Sequence, residues 1–249
     1  MKTGYQIRST ALAAALFALP LASVGADARI VAPNNRANVE GNSGAPFGSG
    51  GPLRSQQVYG ASQFSSIAQG GGWIDAILFR VDAGSYLGAA ATATNIQINL
   101  STTTKAPDGL SPTFAQNVGA DDKVVFGPTG LTLIGGGSIG GGPQPFGELK
   151  ISFNTPFYYD PTAGNLLMDV RNFAGGRSFG LFDGELTIGD SVSRVVGFVD
   201  APSIFASDSF GFVTQFEVTP VPEPSSWGLL ALCLGGLAFW QWRERRECR

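Results

Sequence analysis

Thr94-Asn95-Ile96-Gln97-Ile98-Asn99-Leu100-Ser101 alternates polar and apolar side chains. Successive side chains of an extended chain point to opposite faces, so Ile96, Ile98 and Leu100 share one face and Gln97, Asn99 and Ser101 the other. The stretch predicts a half-buried β-strand. The same period of two recurs at Leu149, Ile151 and Phe153, at Phe210 and Phe212, and through Gln215-Phe216-Glu217-Val218. Further strands are predicted at 57–59, 73–81, 123–126, 131–134, 166–171, 186–188 and 195–199. Turn chemistry separates them: Asp82-Ala83-Gly84, Pro107-Asp108-Gly109, Pro161-Thr162-Ala163-Gly164 and Phe182-Asp183-Gly184. No amphipathic helix of ordinary length interrupts the series. The expectation is an all-β fold, an antiparallel β-sandwich or jelly roll, with an N-terminal signal helix and a short C-terminal transmembrane helix.

Composition supports many turns and little helix: 35 Gly and 15 Pro in 249 residues, with 14% charged residues. Between Arg29 and Val221 there are 10 Lys and Arg against 15 Asp and Glu. That acidic body repels phosphate backbones, which argues against a nucleic-acid partner. Both cysteines, Cys233 and Cys248, lie outside this span, so the body is held by packing rather than by an internal disulfide. The chain has no histidine. Ser-His-Asp and Cys-His nucleophilic catalysis and the usual zinc sites are thereby excluded.

The two ends carry addressing information. Lys2 and Arg8 precede an apolar run over 11–24, and Ala26-Asp27-Ala28 supplies small residues where a signal peptidase reads. Val24-Gly25-Ala26 fits as well, so cleavage after Ala26 or Ala28 leaves a mature start at Asp27 or Arg29. At the other end Val221-Pro222-Glu223-Pro224 precedes an apolar segment over 227–242 and a basic terminus. Pro222 and Pro224 cannot sit inside a helix or central strand, so the body must end before them in an extended, accessible tripeptide. Sixteen apolar-run residues make a helix of roughly 24 Å, short of a hydrocarbon core of roughly 30 Å. Arg243, Arg245, Arg246 and Arg249 hold the far end in the cytoplasm, while Trp227, Trp240 and Trp242 suit the membrane interfaces. The logic matches that of an anchor signal whose apolar tail holds a precursor until an enzyme removes it.

This order of Val221-Pro222-Glu223-Pro224, the Ser225-Ser226 spacer, the apolar helix and the arginines resembles the C-terminal signal of PEP-CTERM proteins. The resemblance implies a Gram-negative bacterium with an exosortase, a membrane transpeptidase-like enzyme that processes the tail, and an association with extracellular polysaccharide. The body also resembles a recurring β-sandwich ectodomain of such proteins, through Arg54-Ser55-Gln56-Gln57-Val58-Tyr59, 96–103, 113–122 and 164–170. That likeness implies a secreted domain without an assigned reaction.

Candidate chemistry in the body is sparse. Asp121 and Asp122 beside Gly119, with Asp108 in a nearby turn, offer oxygen ligands to calcium, which needs six to eight, although adjacent acids in such a loop are ordinarily solvated turn residues. No pair among the acids is singled out for glycoside hydrolysis. Trp73, Tyr59, Tyr86, Tyr158 and Tyr159 are the candidates for a carbohydrate surface, but neighbouring Tyr158 and Tyr159 face opposite sides of a strand. The glycine-rich run at 135–142 lacks the Lys-Ser or Lys-Thr of a phosphate loop and reads as a connector.

Together these readings divide the chain into a signal peptide (1–28), a flexible lead-in contributing little core (29–55), an ectodomain (56–220) and a sorting and anchor segment (221–249). The expected protein is an exported exopolymer-matrix or cell-envelope component without catalysis or cofactor. The alternative is an extracellular polysaccharide-binding module. Expected partners are the secretion machinery, an exosortase-like enzyme, extracellular polysaccharide, and the inner membrane through the C-terminal helix before processing. The precursor is expected at the inner membrane and the product at the cell surface or outside the cell.

Overall fold

The computed structural model describes residues 27–45, 50–67, 70–85, 91–133, 140–147, 149–175, 180–221 and 226–247. The first strands are β1 (Ala28–Ala32), β2 (Asn42–Gly44), β3 (Leu53–Tyr59), β4 (Gly72–Phe79) and β5 (Ala91–Thr103). Then come β6 (Lys123–Leu133), β7 (Leu149–Tyr159), β8 (Asn165–Asn172) and β9 (Phe182–Leu186). The series closes with β10 (Val192–Phe198), β11 (Ala206–Asp208), β12 (Phe210–Phe212), β13 (Thr214–Pro220) and the helix α1 (Ser226–Glu247). All the strand pairings are antiparallel.

Three sheets result, ordered β1-β13-β4-β7, β11-β10-β3-β8-β5-β6 and β12-β9-β2. One apolar cluster joins Ile74, Ile77, Phe157, Tyr159 and Phe216 of the four-stranded sheet to Tyr59, Ile96, Ile98, Leu100, Met168 and Val170 of the six-stranded sheet. The alternation read at 94–101 therefore does point Ile96, Ile98 and Leu100 into this core. Phe216 meets Tyr59 and Phe64 edge-on at centroid distances of 5.0 and 5.2 Å. Such pairs add about 0.5–1.5 kcal/mol each beyond the area they bury.

The polar side of β5 and its neighbours is not the solvated face that alternation predicts. Asn99, Ser101, Gln56 and Asp169 are all buried. The segment following β5 folds back over them. Asn117 Nδ2 donates to Gln56 Oε1 at 2.9 Å, and Gln56 Nε2 donates to Asp169 Oδ2 at 3.0 Å and to the Phe114 carbonyl at 3.2 Å. Arg54 grips Asp169 through Nε and Nη2 while its guanidinium lies 4.5 Å from the Phe114 ring centroid. Buried polar groups satisfied in this way rigidify a sheet face rather than weaken it.

The described residues of 29–55, expected as a flexible lead-in, are built into the body. β1 pairs with β13 in the register Ala28↔Val218 to Ala32↔Thr214, and Ile30 and Ala32 are buried. β2 pairs with β9, and Arg36 forms an ion pair with Glu185. Five residues with only two large apolar side chains made β1 too short to recognise, because its stabilisation comes from a partner strand distant in sequence. The turn expected at Phe182-Asp183-Gly184 is likewise the start of β9. Gly184 is needed there because a β-carbon would approach Phe210 Cζ to 2.2 Å. The strands expected at 123–126 and 131–134 fall, over 123–133, in one strand, β6, interrupted by Gly127, whose φ is +74° and where a β-carbon would strike the Ile96 carbonyl.

The C-terminal helix runs 22 residues, through the arginines to Glu247 rather than stopping at Trp242. Among the described residues no helix is long and apolar enough to cross a membrane. The expected transmembrane helix is not confirmed: glycine, glutamine and three tryptophans dilute its leucines, and its last turns are charged.

Candidate functional site

The body, 25–223, is one compact unit, and α1 belongs to another. Within the body the two ends of the chain come together. β1 and β13 run antiparallel, so Ala28 lies opposite Val218, and Thr219 Oγ1 donates to Asp27 Oδ1 at 3.2 Å. On the other side of β13, Thr219 lies opposite Trp73 and Pro220 opposite Gly72. The amide of Val221 then donates to the Gly71 carbonyl at 3.1 Å. Regular pairing thus continues up to the residue before Pro222, where proline removes the next donor. Pro222, Glu223 and Pro224 lie outside the described residues, as does Ala26. Ala28 is the first residue of β1, so cleavage after Ala26 preserves the strand and cleavage after Ala28 shortens it.

The aromatic candidates separate by face. Tyr59 and Tyr159 are fully buried, and burial pushes both phenols well above their ordinary range. Trp73 and Tyr158 are cross-strand partners on the outer face of the four-stranded sheet, 42% and 41% exposed. Their rings meet at 5.4 Å and 60°, edge to face, so they do not form one flat platform. Tyr86 lies outside the described residues. Tyr158 points out and Tyr159 in, as strand alternation requires.

Asp121 and Asp122 each serve β5 from the loop before β6. Asp121 Oδ1 accepts the Thr102 amide at 2.7 Å, and Asp122 Oδ2 accepts Asn99 Nδ2 at 2.9 Å. Gly119 lies so close to β5 that a β-carbon would meet the Thr102 carbonyl at 1.8 Å. Burial pushes the Asp122 carboxyl up against the pull of the Asn99 bond. Asp108 is engaged elsewhere, accepting the Gly189 amide at 2.9 Å.

Among the described residues the three acids that do converge are Glu40, Asp82 and Asp183, each offering an oxygen within 4.8 Å of the others. The sequence reading missed them because they come from three distant segments, two of which read as turns. Glu40 Oε1 accepts the Ala83 amide at 2.8 Å, while its Oε2 is buried without a hydrogen bond. Burial raises Asp82, and the Glu40 charge raises it further. Burial also raises Asp183, outweighing Arg80, which is ion-paired to it. Three oxygens beside a competing guanidinium fall short of the six to eight that calcium takes from oxygen donors.

Beyond the body, α1 places an aromatic and basic group at its C-terminal half. Phe239 and Trp242 have ring centroids 5.8 Å apart, and the Arg246 guanidinium lies 3.9 Å from the Trp242 ring centroid. Residues 220–246 match the family model for the PEP-CTERM protein-sorting motif. The chain carries a PEP-CTERM sorting signal. The match begins at the last residue of β13, so the PEP-CTERM segment starts where the folded body stops. Trp240, Trp242, Arg243, Arg245 and Arg246 all lie in the PEP-CTERM segment and on α1. The PEP-CTERM motif implies export and processing by an exosortase-type enzyme. No curated protein and no solved structure matches the chain.

Proposed function

We propose that this is a non-catalytic component of an extracellular polymer or the cell envelope, displayed by a sandwich-type β ectodomain and delivered through its PEP-CTERM tail. The observation that carries this reading is the abrupt junction at 220–221. A strand paired on both sides ends there, and the sorting motif begins. A protease-like enzyme needs an extended, unpaired segment, and Pro222 and Pro224 are residue types that disfavour both sheet and helix. The body contributes stability and display, and the tail contributes the address. The absence of histidine supports an inert body, since the commonest nucleophile-activating group is missing. In the precursor the apolar run of α1 engages the membrane. Its short apolar length suits a temporary hold.

The test is replacement of Pro222, Glu223 and Pro224 by alanine in a host that processes the parent. Export is expected to continue, with accumulation of an uncleaved precursor in the membrane fraction. Equal processing of variant and parent, compared by intact mass, overturns the proposal.

A further inference from the structure

We infer that the end of the four-stranded sheet bearing Trp73 and Tyr158 is a lipid-facing surface, which rests against the bilayer interface while the sorting tail holds the precursor there. This rests on the anchoring role proposed above for the tail. Four residues carry it, one from each strand of the sheet or the residue leading into it. Asp27, Thr219, Trp73 and Tyr158 form a row across the outer face, fixed by the Thr219–Asp27 hydrogen bond and the pairs Trp73↔Thr219 and Trp73↔Tyr158. Both exits of the body lie in or beside this row: Asp27 leads back toward the signal segment, and Val221 leads into the sorting motif.

The chemistry of the row fits an interface rather than the hydrocarbon core. Trp73 and Tyr158 are large amphipathic rings, and such rings collect at headgroup depth. Tyr158 is held by a hydrogen bond, and Trp73 packs against its ring at 5.4 Å. Tyr158 Oη donates to the Gly70 carbonyl at 2.7 Å, and the single Thr219 hydroxyl proton is shared between Asp75 Oδ2 at 2.9 Å and Asp27 Oδ1 at 3.2 Å. Gly71, at φ +73°, is required for this closeness, since a β-carbon there would meet the Tyr159 carbonyl at 2.7 Å and Tyr158 Oη at 2.8 Å. A rigid aromatic pair gives little affinity alone. A tether that keeps it within a few residues of the membrane supplies the missing effective concentration. The edge-to-face geometry disfavours a sugar ring, which stacks on one flat face.

Trp73 is the body's one tryptophan, the others being Trp227, Trp240 and Trp242 in the tail. The full chain carrying W227F, W240F and W242F therefore reports on Trp73 alone. Its emission is read in buffer and after reconstitution into phosphatidylethanolamine–phosphatidylglycerol vesicles, with and without acyl chains brominated near the headgroup. The expected result is a blue shift on reconstitution and loss of intensity in the brominated vesicles, both abolished by W73F. A chain that floats with the vesicles but keeps its aqueous emission overturns the inference and leaves the anchor standing. Flotation is read on the unsubstituted chain alongside, and a parent chain that does not float overturns both. A blue shift produced by soluble polysaccharide and not by vesicles assigns the row to carbohydrate and likewise overturns it.

Discussion

Arg80 and Asp183, 103 residues apart, form an ion pair in which both side chains are buried. Arg80 is among the largest fully buried side chains of the body. Its remaining donors go to the carbonyls of Ala37, Arg36 and Val39, at 3.1, 2.8 and 2.7 Å. Asp183 in turn accepts the Gly41 amide at 2.9 Å. One guanidinium and one carboxylate thus bind the connection between β1 and β2 to β9.

Arg80→Met is expected to destabilise the body by about 3–5 kcal/mol, because it strands a buried carboxylate and frees three carbonyls. Urea unfolding of the purified body measures this. Hydrogen exchange should rise first at 36–41. A loss below about 1 kcal/mol would show that the pair contributes little beyond its volume.

Asp169 is expected to set an acid limb of stability. Burial alone would raise its carboxyl, but the Arg54 hydrogen bond, the Arg54 and Arg171 charges and the Gln56 bond outweigh burial and hold it below its ordinary value. A depressed carboxyl contributes stability that is present above the unfolded value, about 3.9, and lost as pH falls through the folded one. Asp169→Asn should therefore cost about 2–4 kcal/mol near neutral pH and progressively less below about pH 4. Parallel melts of variant and parent across that range check the sign.

Asp190 is expected to act in the opposite sense. Burial pushes its carboxyl up to about 6 against the Val192 amide bond, with Glu185 and Asp108 adding to the rise. The folded chain then keeps a proton that the unfolded chain has lost, so this contribution declines as pH rises from about 4 to 6. Asp190→Asn retains an oxygen for the Val192 amide and removes the charge. It should melt higher than the parent at about pH 7.5 and lose that advantage by about pH 4. Unchanged melting differences across the window would refute the assignment.

Deleting 27–32 is expected to expose one edge of β13 and open the core at Ile30 and Ala32, which are 4% and 0% exposed. The truncated body should unfold at lower denaturant and associate on concentration, while a chain starting at Asp27 stays monomeric to the same degree as one that also retains Ala26. Light scattering and urea titration of the three chains make the comparison.

The strands with internal rhythm were legible: 94–101 and 149–154 fall in β5 and β7, with Ile96, Ile98, Leu100, Leu149 and Ile151 in the core and Phe153 packed against it. The sorting motif was legible because its determinants are contiguous. β1 and β2 were not, since their apolar content is small and their partners are β13 and β9, far along the chain. The burial of Gln56, Asn99 and Asp169 was also hidden, because polar residues at alternate positions look the same under solvent as under a covering loop. Glu40, Asp82 and Asp183 converge only after three segments have folded, and no local spacing records that.

The pairing of β1 with β13 also governs when the body can mature. Ala28 finds Val218 across nearly the whole ectodomain, so the first strand to emerge from a secretion pore must wait for the last. Closing so long a loop is slow, and the partners stay open until it happens. By then the sorting segment, which begins two residues beyond Val218, is the next to be translocated. The clasp of β1 on β13 therefore requires every residue of the body up to the point where the sorting match begins.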